Sequence, residues 1–246
     1  MSSHGNIATA SRRSPAYHHD HVDAHAHASW FGQIILGGQD GLVNVLGLVL
    51  GVASATASQH VVIVAGLAAA FAESVSMAAV GYTTSVAEGD RYRAERAREY
   101  RHIEAVPEIE RDEIRALYRR KGFGGDLLER IVDTITSNKD VWVAVMMTEE
   151  HALEDRSRKR SARESAIIGT SSLVGSLLPL APFFFLPVTA SLWTSVAVST
   201  TTLFALGYYK GRITIGRPIR EGLVLAAIGI ATAVAGFVIG LLLRVP

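Results

Sequence analysis

The chain has 246 residues, 49% hydrophobic and only 19% charged, with a formal net charge of +1. Soluble domains carry about 25% charged residues, and here the deficit is concentrated, because no Lys or Arg lies from Ser14 to Asp90 or from Glu164 to Tyr209. That placement excludes an ordinary soluble globular protein and points to a polytopic membrane protein with one charged insert; the near-neutral balance gives no case for nucleic acid, and the absence of cysteine excludes disulfides, thiolate metal sites and a Cys nucleophile.

Residues 1–29 read as a His-rich flexible tail: His18, His19, His21, His25 and His27 are five of the nine histidines. Such tracts collect metal, or serve merely as a solvated tail. No apolar core precedes residue 30, so no cleavable signal peptide is expected. Residues 30–87 hold two apolar stretches long enough to cross a bilayer, Phe31–Ala53 and His60–Val86, joined by Ser54–Gln59. Residues 88–165 form the insert, with 17 basic and 18 acidic residues and a helical pattern. There Glu88–Glu104 extends span two, Val106-Pro107 breaks it, and Glu108–Lys121, Asp126–Thr136 and Val141–Arg160 follow, the last leading into span three. Residues 166–246 supply Ala166–Phe185, Val188–Tyr209 and Leu223–Leu243, with Pro179, Pro182 and Pro187 marking the first connection. The fold expected is an all-α polytopic membrane protein, with five transmembrane helices and a cytoplasmic helical insert between spans two and three.

Basic residues set the orientation. The tail, the insert and the Lys210–Arg220 loop hold 23 of the 24 Lys and Arg, and five spans place those three segments on one face. That face is expected to be cytoplasmic, with the C-terminus outside. The Ala/Arg/Gly-rich usage points to a bacterial inner (plasma) membrane.

Within the spans, polar side chains are scarce. Asp40 lies in Gly37-Gly38-Gln39-Asp40-Gly41-Leu42-Val43-Asn44, and Asn44 stands one turn on, sharing its face. A carboxylate at membrane depth is expensive and marks an ion pathway, unless it only anchors the span at the interface. Glu73 and Met77 form an i, i+4 pair in span two, where a carboxylate and a thioether suit a divalent transition ion; the plain reading is a protonated acid bonded to a neighbouring helix with Met77 as filler.

The insert repeats the pattern. Glu99 with His102, Glu110 with Glu113, and Met146 and Met147 with Glu150 stand three or four residues apart, each pair on one helix face. Carboxylates with imidazole and thioether suit Fe2+, Mn2+, Co2+, Ni2+ or Zn2+, whereas Mg2+ and Ca2+ prefer oxygen alone. Each internal methionine, Met77, Met146 and Met147, lies near a carboxylate at helical spacing. A solvated face explains any one pair equally well, since arginines crowd the same helices.

Asp40-Gly41-Leu42-Val43, Ser76-Met77-Ala78-Ala79-Val80-Gly81-Tyr82 and Ser171-Ser172-Leu173-Val174-Gly175-Ser176-Leu177-Leu178-Pro179-Leu180 resemble the vacuolar iron transporter family, from about Ser29 to the C-terminus. The resemblance implies a homodimer in a lipid bilayer that moves Fe2+, and often Mn2+, out of the cytoplasm in exchange for protons. It implies that Asp40 and Met77 line the pathway at the dimer interface; Asn44 and Glu73 are candidates for the same pathway from their positions in the spans alone. It further implies an insert site of Glu99, Glu110, Glu113, Met146, Met147 and Glu150. His102 stands where the family commonly has Glu, and Ala69 where it often has a pathway Glu; Glu73, one turn closer to Met77, is the nearest acid.

The resulting expectation is a transporter rather than an enzyme, with no catalytic residues and no prosthetic group, the metal being cargo. Carboxylates that exchange protons for metal would couple the two fluxes. A membrane-tethered di-iron ferroxidase is a rival suggested by Glu99-Tyr100-Arg101-His102, but such bundles need two Glu-x-x-His units and the sequence has this one. A metal sensor without transport is another; flux separates it from the exporter.

Overall fold

A computed structural model of the chain describes residues 24–151, 156–214 and 216–243; the side chains of 24–29 lie outside it, as does most of the His-rich tail. Among the described residues the regular elements are helices: α1 (Ala24–Thr56), α2 (Gln59–Ala105), α3 (Pro107–Arg120), α4 (Gly125–Thr136), α5 (Lys139–Val145), α6 (Arg158–Leu180), α7 (Val188–Ile213) and α8 (Pro218–Leu242). A π-helical turn, Met146–Glu150, continues α5, and a 3-10 turn, Ala181–Phe184, follows α6. Five of the helices, α1, α2, α6, α7 and α8, are long and apolar enough to cross a membrane, so the chain reads as an integral membrane protein.

Local chemistry places the breaks. Ser58 caps α2, its hydroxyl accepting from the Val61 N–H at 3.5 Å. α2 then runs unbroken from the apolar span into the charged region, as the sequence predicts, until Pro107 opens α3 at its first turn. The single helix expected over 141–160 is instead divided. The π-helical turn ends at His151, and α6 starts afresh after Ser157, whose hydroxyl accepts from the Arg160 N–H at 3.3 Å.

α1 is the centre of the bundle, packed on α6, α8, α2 and α7, while α2 also packs along α6 and α7 along α8. Small residues allow these crossings. A Cβ on Gly175 of α6 would overlap the Gly38 carbonyl of α1, and one on Gly236 of α8 would overlap that of Gly47. Hydroxyls then bond across the gaps: Ser74 donates to the Gly169 carbonyl at 2.8 Å, and the Ser85 and Ser161 hydroxyls are 2.8 Å apart. Leu46, Val49, Val62, Leu180 and Phe183 are fully buried at the centre. α2 is the least covered helix over its apolar length, with Val61, Val64, Phe71, Val75 and Val80 facing outward.

The insert has its own core. Ile103 from α2, Ile114 from α3, Leu128 and Val132 from α4, Trp142 from α5, and Met146 and Met147 from the π-helical turn pack together. Burial of each such side chain is worth about 1.5–3 kcal/mol, which fixes α3–α5 against the distal part of α2.

Candidate transport and metal sites

The membrane-spanning candidates meet. The Asn44 amide donates to the Asp40 carboxylate at 3.4 Å, one turn apart on α1. Glu73 of α2 lies close enough to both for each to act on its carboxyl. Asp40 and Glu73 are half-buried, and Asn44 is exposed on the surface of an apolar helix. Met77, one turn beyond Glu73 on α2, lines a groove of about 280 Å³ between α1, α2 and α6, also lined by Gln33, Thr84, Ser85, Glu88 and Glu164. Gln33 Oε1 is buried there with no hydrogen-bond partner among the described residues. Arg156 closes the far end, 3.1 Å from Glu88 and 3.6 Å from Glu164. Gln33, Glu88 and Glu164 escaped the sequence reading because each sits at a span boundary, where a polar residue is unremarkable.

The insert candidates also converge. Glu99 and Glu110 are each 4% exposed, an unusual depth for carboxylates. Met146 and Met147 are buried in the adjoining core, while Glu113 and Glu150 stand at the exposed edge. The pairing is not the one that spacing suggests. Glu99 does not act with His102; its Oε1 is 3.0 Å from Nε2 of His151. His102 turns to Glu110, with Nδ1 3.3 Å from Oε1. The second oxygen of each buried acid, Oε2 of Glu99 and of Glu110, has no hydrogen-bond partner among the described residues.

Electrostatics follow from the crowding. Burial holds the Glu110 carboxyl above the usual glutamate value of 4.5, and Glu113, Glu99 and Glu150 push it further, with His102 opposing. Desolvation likewise raises Glu150, helped by Glu113 and Glu99 and opposed by His151 and Arg120. The cluster is therefore short of positive charge, a deficit that a divalent cation would remove. Carboxylates, imidazoles and neighbouring thioethers form a donor set suited to a borderline transition ion.

Comparison with known proteins supplies a frame for these sites. A profile described as "VIT family" matches residues 31–241. Vacuolar iron transporter 2 of Oryza sativa subsp. japonica is 34% identical over 205 residues, covering 83% of each chain. Vacuolar iron transporter 1 of the same plant is 33% identical over 222 residues, covering 89% of this chain and 88% of its own. The vacuolar iron transporter of Plasmodium falciparum (isolate 3D7) is 28% identical over 221 residues, covering 86% and 81%.

Proposed function

The chain belongs to the VIT family, and from that membership we propose that it exports a divalent transition metal, Fe2+ and also Mn2+, from the cytoplasm in exchange for protons. The observation that carries the reading is the meeting of Asp40, Asn44 and Glu73 on the open α1–α2 side of an apolar bundle whose α1 and α2 contribute no other acid from Trp30 to Ala87. A charged side chain at the bilayer centre costs about 2.5–3.5 kcal/mol or more, so such a cluster marks the path of an ion.

The active unit is a homodimer. Exposed Asn44 and half-buried Asp40 and Glu73 lie beside the outward apolar face of α2, and in a lone chain they would be left against lipid. A two-fold partner that covers this face doubles the ligands, giving two Asp40 and two Met77 around one path. The insert and N-terminus are cytoplasmic and the C-terminus lies outside, in a bacterial plasma membrane. Metal enters through Glu99, Glu110, Glu113, Met146, Met147, Glu150 and His102, passes along the groove at Met77, and is released where protons replace it at the carboxylates.

The test is Fe2+ flux in proteoliposomes, with and without an imposed pH gradient. Flux that follows the gradient and vanishes in Asp40→Ala, with the variant folded, supports the exporter. Flux indifferent to the gradient overturns proton exchange, and metal binding without flux overturns transport in favour of a sensor.

A further inference from the structure

Two groups of acids and histidines stand in the insert, and the ligand set implied by family resemblance takes only Glu99 from the second. Glu110, Glu113, Glu150 and His102 surround the α3 side. On the α2 side, Glu95, Glu99 and His151 offer one ligand atom each, all within 4.8 Å of one another. Glu95 and His151 belong to no pair that the resemblance or the spacing singles out.

Three features make this group more than a patch of acid. Glu99 is buried, its side chain 5% exposed, and its Oε2 has no hydrogen-bond partner among the described residues. Leaving a charged oxygen buried and unpaired is costly, and the two groups converging on it are potential metal ligands. Next, Nε2 of His151 stands 3.0 Å from Glu99 Oε1. Two ligands held about 2.1 Å from one ion lie roughly 3.0–3.4 Å apart, so this edge already has a coordination spacing. Glu95, one turn before Glu99 on α2, closes the triangle; Arg98 stands 3.6 Å from its Oε2, beyond hydrogen-bond distance. Finally, the backbone delivers His151 by a special route. The His151 N–H bonds to the Met146 carbonyl at 3.2 Å, the i→i+5 step of a π-helical turn. Ordinary α-helix through the same residues would turn His151 away by a fraction of a turn; π-bulges of this kind occur often at functional sites.

We propose that Glu95 and His151 join Glu99 in a further divalent-cation position on the α2 side of the insert, which shares Glu99 with the Glu/Met ligands. It rests on the metal-transport reading and deepens it by assigning a preference. Two carboxylates and one imidazole favour Zn2+, Co2+ or Fe2+ over Mn2+, following the order in which nitrogen ligands bind first-row ions. Three protein ligands leave coordination positions for water, which suits an ion that must leave again.

The experiment uses the full-length protein in detergent micelles, stripped with chelator and titrated with Zn2+ and with Mn2+ by equilibrium dialysis. His151→Gln and Glu95→Gln are each expected to remove one equivalent of Zn2+ or weaken it at least tenfold, while His102→Gln keeps that equivalent. His151→Glu, which restores an oxygen ligand, is expected to bind again with its Zn2+ over Mn2+ preference reduced. Unchanged Zn2+ stoichiometry and affinity in His151→Gln overturns the site. If only Glu110→Gln and Glu113→Gln lower the stoichiometry, this site falls and the wider metal reading stands. If the unmodified protein binds neither ion, both fall.

Discussion

The helices of the bundle meet through glycine and serine, whereas those of the insert meet through isoleucine, tryptophan and methionine. In the bundle, a lipid surround offers no hydrophobic reward for association, so close backbone approach and hydroxyl-to-carbonyl bonds do the work. In the insert, with its 17 basic and 18 acidic residues, burial of Ile114, Val132, Trp142 and Met146 drives the packing. Charge has opposite meanings in the two regions. Across the apolar parts of α1 and α2 Asp40 and Glu73 stand alone, and their presence is itself a signal. Among the many charges of the insert, only burial separates Glu99 and Glu110 from acids such as Glu129 that simply meet Arg115 at the surface.

The contrast breaks most visibly at the helix crossings. Gly175→Val would drive a side chain into the Gly38 carbonyl, and overpacking of this kind costs about 1–3 kcal/mol or more. The expected outcome is loss of folded protein in detergent, followed by size exclusion and thermal unfolding; retention of full stability would disprove the close α1–α6 crossing. Met77→Ala comes next, with folding kept and Fe2+ flux reduced to that of empty vesicles. Flux near the unmodified level would remove Met77 from the pathway.

Glu110→Gln sharpens the comparison inside the insert, because two properties move in opposite directions. The metal-free variant is expected to unfold at a higher temperature, since one charge of a crowded cluster is gone, and to bind Zn2+ about 10–100-fold more weakly, the range seen for losses around metal sites. The pH dependence has a definite sign. Glu110 and Glu150 titrate above 4.5 in the folded protein, so their protonation stabilises it at low pH. That contribution is lost as pH rises through the raised values. Glu129, held down by Arg115, acts the other way, but only as pH falls below 4.5. Melting of chelator-treated protein from pH 4.5 upward should therefore show a decline that saturating Zn2+ abolishes. The smallest effect is expected for Arg115→Ala, which loses contacts of 2.9 and 3.0 Å to Glu129 at the surface, worth about 0.2–1 kcal/mol.

The five spans, the continuity of α2 and the Pro107 break were legible because each depends on local sequence: apolar length, uninterrupted helix formers, and a ring without an N–H. Asp40, Asn44 and Glu73 were legible because a polar residue in an apolar run has few explanations. The partners of Glu99 and His102 were not. Their spacing on one helix face suggests a joint site, but neighbouring helices draw them apart, Glu99 to His151 and His102 to Glu110. His151 was hidden by the π-helical turn, since helical spacing counts 3.6 residues per turn and this segment does not. The small-residue crossings were partly visible in the glycines of α1, although which helix each would meet depends on the whole topology.

α2 has one more property that follows from its unbroken course. At 1.5 Å per residue, its 47 residues make a rod about 70 Å long, and Glu73 and Glu99 sit roughly 39 Å apart along it. No proline interrupts that stretch, so it has no joint to absorb rotation. A tilt of only about 5° at one end therefore sweeps the other through roughly 3 Å, the scale of a coordination bond. The same helix carries Glu99 and, at that distance, Glu73 and Met77, so a rigid tilt of α2 would move both sets of side chains together.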